Sequence, residues 1–325
     1  MPITFDGAAF STGITVSMAP LPNQNALFGY GTTGAPNSTL AMTNTVSNLG
    51  VVASDVVQQA GTGNRYGAGA TGYGTTGQCM FGFGIITPGV RGNYITRYSN
   101  AGVLVDNSSG VGTAREAPCG FKYGLTGTAM FIYGSTLGGV VNIVNLISTV
   151  GVVAADTSSA QAGTLNLPAA ANFGSTGQTI LGYGILTPTV TSVTRIISNT
   201  GVVAADTPGV GTARVYTAVA TYGQDKAIFG YGTLGNFTTN VSVTNLVSNV
   251  GVVAADTTGV GTARQQLSAG TYGGDKAIFG YGTTVPGAPI NTTSTTNLVS
   301  SAGVVASDTP GVGTSRARSS CTSFN

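Results

Sequence analysis

The chain alternates short apolar stretches with glycine, threonine and asparagine, and no window of it carries an apolar stripe at helical spacing. Valine, threonine and aromatic residues dominate the apolar runs, which suits β-strands and disfavours helix. Between residues 214 and 255 the pattern predicts four short strands: a over Arg214–Tyr222, b over Lys226–Gly232, c over Ser242–Ser248 and d over Val252–Ala255. Turn chemistry separates them. Gly223-Gln-Asp, and its sister Gly273-Gly-Asp, suit an a–b hairpin needing positive φ. Ser248-Asn-Val-Gly suits the c–d turn, and Thr207-Pro-Gly-Val turns the chain from one unit into the next.

This unit recurs along the chain. Phe-Gly-Tyr-Gly or a variant begins at Phe28, Phe81, Phe131, Leu181, Phe229 and Phe279, at intervals of 53, 50, 50, 48 and 50 residues. A segment like Thr244-Asn-Leu-Val-Ser-Asn follows each time. Next comes Gly-Val-Val-Ala or its variant, starting at Gly50, Gly102, Gly151, Gly201, Gly251 and Gly303. An aspartate stands after each of these: Asp55, Asp106, Asp156, Asp206, Asp256 and Asp308. Gly-Val-Gly-Thr-Ala/Ser-Arg closes the unit, ending at Arg115, Arg214, Arg264 and Arg316; the copies around Arg65 and Thr164 have diverged. The repeats run roughly over 12–64, 65–114, 115–164, 165–213, 214–263 and 264–315, with 316–325 as a ring-closing or donated strand, so residues 1–325 form one domain.

A single four-stranded sheet cannot cover both its faces, and repeats of this kind bury theirs against their neighbours. The expected fold is therefore all-β, a six-bladed β-propeller with four antiparallel strands per blade; a linear β-solenoid is the rival. The b, c and d segments occur six times, whereas strand a has a seventh version, with copies at Thr12–Ala19 and Arg316–Ser323. Either terminus could close the ring, or the spare strand could be donated to a neighbouring subunit. Closure within one chain is the expectation.

The order of arginine, apolar strand, turn and glycine-ended strand resembles the Kelch repeat, whose period is also about fifty residues. Two features depart from it: Gly-Tyr-Gly replaces the double glycine, and the chain has no tryptophan. More closely, Asp275-Lys-Ala-Ile-Phe-Gly-Tyr-Gly, Thr-Asn-Leu-Val-Ser-Asn and the run from Gly251 to Arg264 resemble repeats of tailed-phage virion proteins, those of cyanophages among them. The resemblance covers residues 20–316. It implies a virion component assembled in the host cytoplasm, in a tail, baseplate or head appendage, touching other virion proteins or the host surface. A lectin-like or adhesin propeller that binds host glycans is the alternative.

Composition sharpens this picture. Only 7% of the 325 residues are charged, with three lysines and one glutamate. A free-standing domain usually keeps a mixed charged surface, so either partner subunits of a larger assembly cover much of it, which is the expectation, or Thr, Ser and Asn do the solvating. The net charge of +2 and the lack of a basic run give no reason to expect nucleic acid. Apolar runs are too short for membrane-spanning helices, the start Met1-Pro-Ile-Thr-Phe-Asp lacks the charged region of a signal peptide, and membrane insertion is not expected. Cys79, Cys119 and Cys321 have no metal spacing and read as small buried residues.

Catalysis is not expected, because the chain has no histidine for a triad, a general base or a typical transition-metal site. Paired carboxylate chemistry would have to use the repeat aspartates or Glu116. No cofactor or metal is expected either. The repeat aspartates and arginines could form a charged ring that binds an ion; as near-universal repeat residues they read instead as scaffold, aspartate capping turn amides and arginine tying blades together. Tyr30, Phe83, Tyr133, Tyr183, Tyr231 and Tyr281 could present sugar-binding rings, but read as packing between blades. Recognition is expected in the variable b–c connections, 32–42, 85–94, 135–143, 185–193, 233–243 and 283–295. Asn37, Asn107, Asn236, Asn240 and Asn291 stand in sequons that a chain rich in Thr and Asn makes by chance.

Overall fold

The computed structural model describes residues 24–34, 38–58, 63–159, 161, 163–286 and 291–324. The alternative first strand at Thr12–Ala19 and the sequon at Asn37 lie outside them. Among the described residues every regular element is a β-strand.

Six antiparallel sheets carry the repeats. Sheet I joins Ser320–Ser323, Ala26–Gly29, Met42–Val46 and Val56–Val57; sheet II joins Gly69–Tyr73, Gln78–Gly82, Ile95–Tyr98 and Leu104–Ser108. Sheet III joins Cys119–Tyr123, Thr128–Ile132, Ile143–Ile147 and Thr157–Ser158. Sheets IV, V and VI have three strands each: Ala169–Phe173, Gln178–Gly182 and Thr194–Ile197; Ala218–Tyr222, Lys226–Gly230 and Thr244–Val247; Ser268–Tyr272, Lys276–Gly280 and Thr296–Val299. Short two-residue and three-residue ladders occupy the b–c connections of sheets II, III and IV. The C-terminal segment supplies strand a of sheet I, with Ala26 opposite Ser323 and Gly29 opposite Ser320.

The first strands touch one another in the order I, II, III, IV, V, VI and back to I. Their a–b turns are tied in sequence by backbone bonds: Gly74 N–H to Gly127 O, Gly124 to Gly177, Gly174 to Asp225, Gly223 to Asp275 and Gly273 to Gln24. In an up-and-down sheet the c–d turns lie at this same end. The b–c connections and the segments leading into strand a lie at the other.

Two expectations about strand length need correction. Strand a of sheet V starts at Ala218 and not at Arg214, because Tyr216 takes a left-handed φ of 57° that interrupts the ladder after the single bridge Val215–Thr233. Strand d is reduced to isolated bridges in sheets IV to VI, so four strands per sheet holds only for I to III. A one-residue bulge interrupts strand d in these sheets as it does in I and III, where a two-residue ladder continues beyond it. Val247 pairs with Val253 but Thr244 pairs with Thr257, leaving one extra residue on the outer side. Within it Asn245 donates its side-chain amide to Ala254 O, replacing a ladder bond.

Aromatic packing seals neighbouring sheets. Phe279 meets Tyr231 at 5.2 Å between centroids, Phe28 meets Tyr281 at 5.0 Å, and Phe81 meets Tyr30 at 5.2 Å, all edge to face. Each such pair adds about 0.5–1.5 kcal/mol beyond its area. The first glycine of Gly-Tyr-Gly makes room for the incoming ring: a Cβ on Gly230 would stand 2.7 Å from Phe279. Sheet III is the exception that explains the rule. It carries Ile132 at this position, and the neighbouring sheet IV presents Leu181 where the others present phenylalanine.

Candidate functional site

Six arginines are fully buried: Arg65, Arg115, Arg195, Arg214, Arg264 and Arg316. Burying an unpaired charge is costly, so each must find partners. In sheet V, Arg214 donates Nε to Tyr231 O at 2.8 Å, Nη1 to Thr212 O at 3.0 Å and Nη2 to Asn245 Oδ1 at 2.7 Å. Asn245 in turn donates to Asp256 Oδ1 at 2.9 Å, and Asp256 also accepts from the amide and hydroxyl of Thr212. Arginine and aspartate stand 3.9 Å apart, so the asparagine relays between them. Sheets III, VI and I repeat the arrangement with Arg115–Asn145–Asp156, Arg264–Asn297–Asp308 and Arg316–Asn44–Asp55. The second glycine of Gly-Val-Gly is required here. A Cβ on Gly211 would overlap Asp256 Oδ1 and Asn245 Nδ2, and its φ is +75°.

Each arginine also stacks on the aromatic of the preceding sheet, with Arg115 3.8 Å from the Phe83 centroid, Arg316 3.9 Å from Tyr281 and Arg214 4.4 Å from Tyr183. Desolvated cation–π contacts of this sort are worth about 2 kcal/mol. All six aromatics at this repeat position are completely buried and adopt φ of 60–64°, a left-handed backbone held in place by packing. None presents a face to a sugar. Tyr183, Tyr231 and Tyr281 send their hydroxyls to Val210 O, Val260 O and Val312 O, in the segment leading into the next sheet.

Two of the ten charged repeat positions fall outside this arrangement. Asp106 does not reach a buried arginine; it pairs with the partly exposed Arg97 at 2.8 Å. Asp106 stands four residues after Gly102, one fewer than in the other repeats, so Asn107 takes the inward position, next to a bulge between the pairs Tyr98–Leu104 and Arg97–Asp106. Arg65 there donates to Thr96, and Thr96 to Asn107. In sheet IV the arginine has moved: Leu165 occupies its usual place, and Arg195 stands where sheets I, III, V and VI have asparagine. Arg195 bonds Asp206 at 2.5 Å and the Tyr133 hydroxyl at 2.6 Å. The asparagines 44, 145, 245 and 297 were not recognised as members of this system from sequence, although the recurring Thr-Asn pair carries the signal.

Burial alone would raise the pKa of Asp55, Asp156, Asp256 and Asp308. Hydrogen bonds from threonine and asparagine, with the arginine charge, outweigh it and hold all four carboxyls below the ordinary 3.8. A carboxyl with a depressed folded pKa contributes stability that is complete above its unfolded value and is lost as pH falls through the folded one. Thermal melts are therefore expected to be flat above about pH 5 and to fall steeply below about pH 4. A melting temperature independent of pH down to about 2 would refute that role. Cys79, Cys119 and Cys321 are free thiols whose pKa burial pushes up, to about 12 for Cys119.

Two cavities lie along the line the first strands surround. One, of about 360 Å³, is walled by those strands and their a–b turns. Its polar row is engaged in joining sheets: Asn172 bonds Lys122 O, Thr221 bonds Asn172 O and Thr271 bonds Thr221 O. The other, of about 320 Å³, opens at the end where the chain enters strand a. Gly67, Ala117, Leu167, Tyr216, Gln266 and Arg318, one from each sheet, stand around it with φ between 51° and 60°. Backbone bonds link part of this circle: Ala117 N–H to Gly67 O, Gly67 to Arg318 O and Arg318 to Gln266 O. The backbone is the same in every sheet while all six side chains differ. Beside them Glu116 accepts from Arg91 at 2.6 Å and lies 3.8 Å from Arg318. Ser135, on the wall, belongs to the b–c connection of sheet III, and Arg91, from that of sheet II, reaches the wall residue Glu116.

No group of three histidine, cysteine, aspartate or glutamate side chains capable of holding a metal occurs among the described residues. Compared with known proteins, the chain matches no protein-family model and no curated protein.

Proposed function

We propose that the six sheets are the blades of a Kelch-like β-propeller, and that the molecule is a non-enzymatic structural component of a tailed-phage virion. The cyclic order of contacts among the first strands and the closing strand Ser320–Ser323 support the propeller. One surface feature carries the role. The c–d turns contain no charged residue and hold Leu49, Val51, Val103, Val150, Val152, Val202, Val250, Val252 and Val304 at 61–79% exposure. Scattered exposed apolar residues are ordinary, but a set recurring in every repeat at one end of the molecule marks an interaction surface. An assembly that covers this end relieves the exposure, in keeping with the scarcity of surface charge. The buried arginines and aspartates serve as scaffold in this reading, which leaves no acid–base pair poised for catalysis.

The test is compositional. Mass spectrometry of purified particles is expected to find this chain in fixed stoichiometry with other virion proteins, and imaging to show a six-spoked density at its position. Particles that lack the chain, or carry it in variable trace amounts, would overturn the proposal.

A further inference from the structure

We propose that two copies of this chain pair face to face through their c–d turns, so that the partner at that end is a second copy of the molecule. The inference rests on the reading of those turns as an interaction surface and names what covers them; it does not depend on the virion role.

Every repeat carries two adjacent apolar residues after the turn glycine. The second packs inward in all six sheets: Val52, Leu104, Val153, Val203, Val253 and Val305 belong to the core clusters or lie against them. The first is valine six times, at 51, 103, 152, 202, 252 and 304, and stands 61–66% exposed. Packing within the chain accounts for the second residue and leaves the first unexplained. Strand propensity does not account for it, since threonine has the same β-branch and is used at the exposed strand position Thr157. Burial against a partner does.

The turns are braced for such a contact. In five of them a Cβ on the turn glycine would collide with an aromatic ring of the preceding sheet, as Gly50 with Tyr272, Gly151 with Tyr73 and Gly251 with Phe173. The a–b turns close against the same loops, where a Cβ on Gly74, Gly124 or Gly223 would meet Thr149 O, Asn199 O or Ser301 O. A surface already ordered in this way loses little freedom on binding.

Area, charge and symmetry select the occupant. Leu49, Val150 and Val250 of the c–d turns and Leu125 of an a–b turn are exposed beside the six valines. At about 100 Å² each, these side chains offer about 1,000 Å² of apolar surface, against the about 800 Å² per partner of a standard stable interface. A face that meets its own copy must not repel itself. The c–d turns carry no charge, and the charges of the a–b turns of sheets V and VI are neutralised within adjacent pairs, Asp225–Lys226 at 2.8 Å and Asp275–Lys276 at 2.7 Å. A twofold axis across this face sets six turns against six turns, so a single fit is repeated around the whole ring. A partner without that period could use the face only in part.

The experiment is sedimentation velocity of the full-length protein at about 1 to 100 µM, with light scattering for the mass. A particle of twice 32.2 kDa is expected, forming with a Kd of about 10 µM or tighter. The combined variant V152K/V202K/V252K should weaken pairing by about a hundredfold or more, since it sets like charges against each other across the contact. Leu137→Lys, at a more exposed position in the b–c connection of sheet III, should leave pairing unchanged. Circular dichroism establishes that the variants are folded; should the lysine variant unfold, V152T/V202T/V252T decides, with an expected loss of about tenfold. A monomer at every concentration, pairing indifferent to the valine variants, pairing lost through Leu137→Lys, or growth beyond two copies would each overturn the proposal. A chain that is monomeric in solution yet present in purified particles would overturn self-pairing and leave the virion role standing.

Discussion

Removal of residues 317–325 is expected to abolish cooperative folding. These residues supply the whole strand a of sheet I, and their loss strips one edge from Ala26–Gly29, a strand buried at every position. They also join sheets. Ser320 Oγ bonds Ala68 O of the segment leading into sheet II, and Ser323 Oγ accepts from the Thr271 amide of sheet VI. Phe324 is fully buried in a cluster with Leu27, Tyr30, Cys79, Phe81 and Tyr98. Truncating that ring alone to alanine costs about 3–5 kcal/mol, against the about 5–15 kcal/mol by which whole domains are stable. Circular dichroism should show no cooperative melt for the truncated chain and a lowered one for Phe324→Ala. Adding a synthetic peptide of residues 314–325 should restore part of the transition, because the vacated edge remains a template for pairing. A truncated chain melting like the intact one would show that the ring is held by other means.

The second large effect concerns the buried arginines. Arg214→Leu is expected to destabilise by about 3–5 kcal/mol in urea unfolding, since removing one partner of a buried charged network strands the others. Tyr231 O and Asn245 Oδ1 lose their donor, and Asp256 loses the nearby positive charge. Sheet IV suggests how to compensate, for it places leucine at 165 and arginine at 195, opposite Asp206. The double variant R214L/N245R copies that solution in sheet V. It should regain more than half of the loss, because the new guanidinium stands beside Asp256 and close to Tyr183 of the preceding sheet. If the double variant is no more stable than R214L, the two arrangements are not interchangeable and sheet IV depends on its own neighbours, Leu181 and Ile132.

The positions of the strands were largely readable. In sheet V strands b and c lie within the stretches 226–232 and 242–248 that local pattern marks, though each is shorter, and the turns at 223–225, 273–275 and 248–251 fall where turn chemistry places them, because both signals act over a few residues. Arg115, Arg214, Arg264 and Arg316, with Asp55, Asp156, Asp256 and Asp308, were recognisable as a recurring set from their spacing. Asp106 is one residue out of step with its sisters: it stands four residues after Gly102, whereas the other five aspartates stand five after their repeat glycine, so Asn107 holds the equivalent position and accepts from Thr96. Arg195 was missed because it stands on strand c, thirty residues beyond the place where an arginine is expected. The cavity at the strand a approach could not be read at all. Its wall takes two or three residues from each of six segments about fifty residues apart, and their variability looks like mere divergence until the common backbone is seen.

The sequence by itself determined the period, the strand and turn chemistry, and the inventory of residues that each repeat must bury. Those properties are written in neighbouring residues and need no partner to act. Only the tertiary structure decided that the C-terminal strand completes sheet I, where Arg195 substitutes for its sisters, and which six residues meet around a common mouth. These depend on contacts between sheets, and such contacts exist only after distant segments have been brought together.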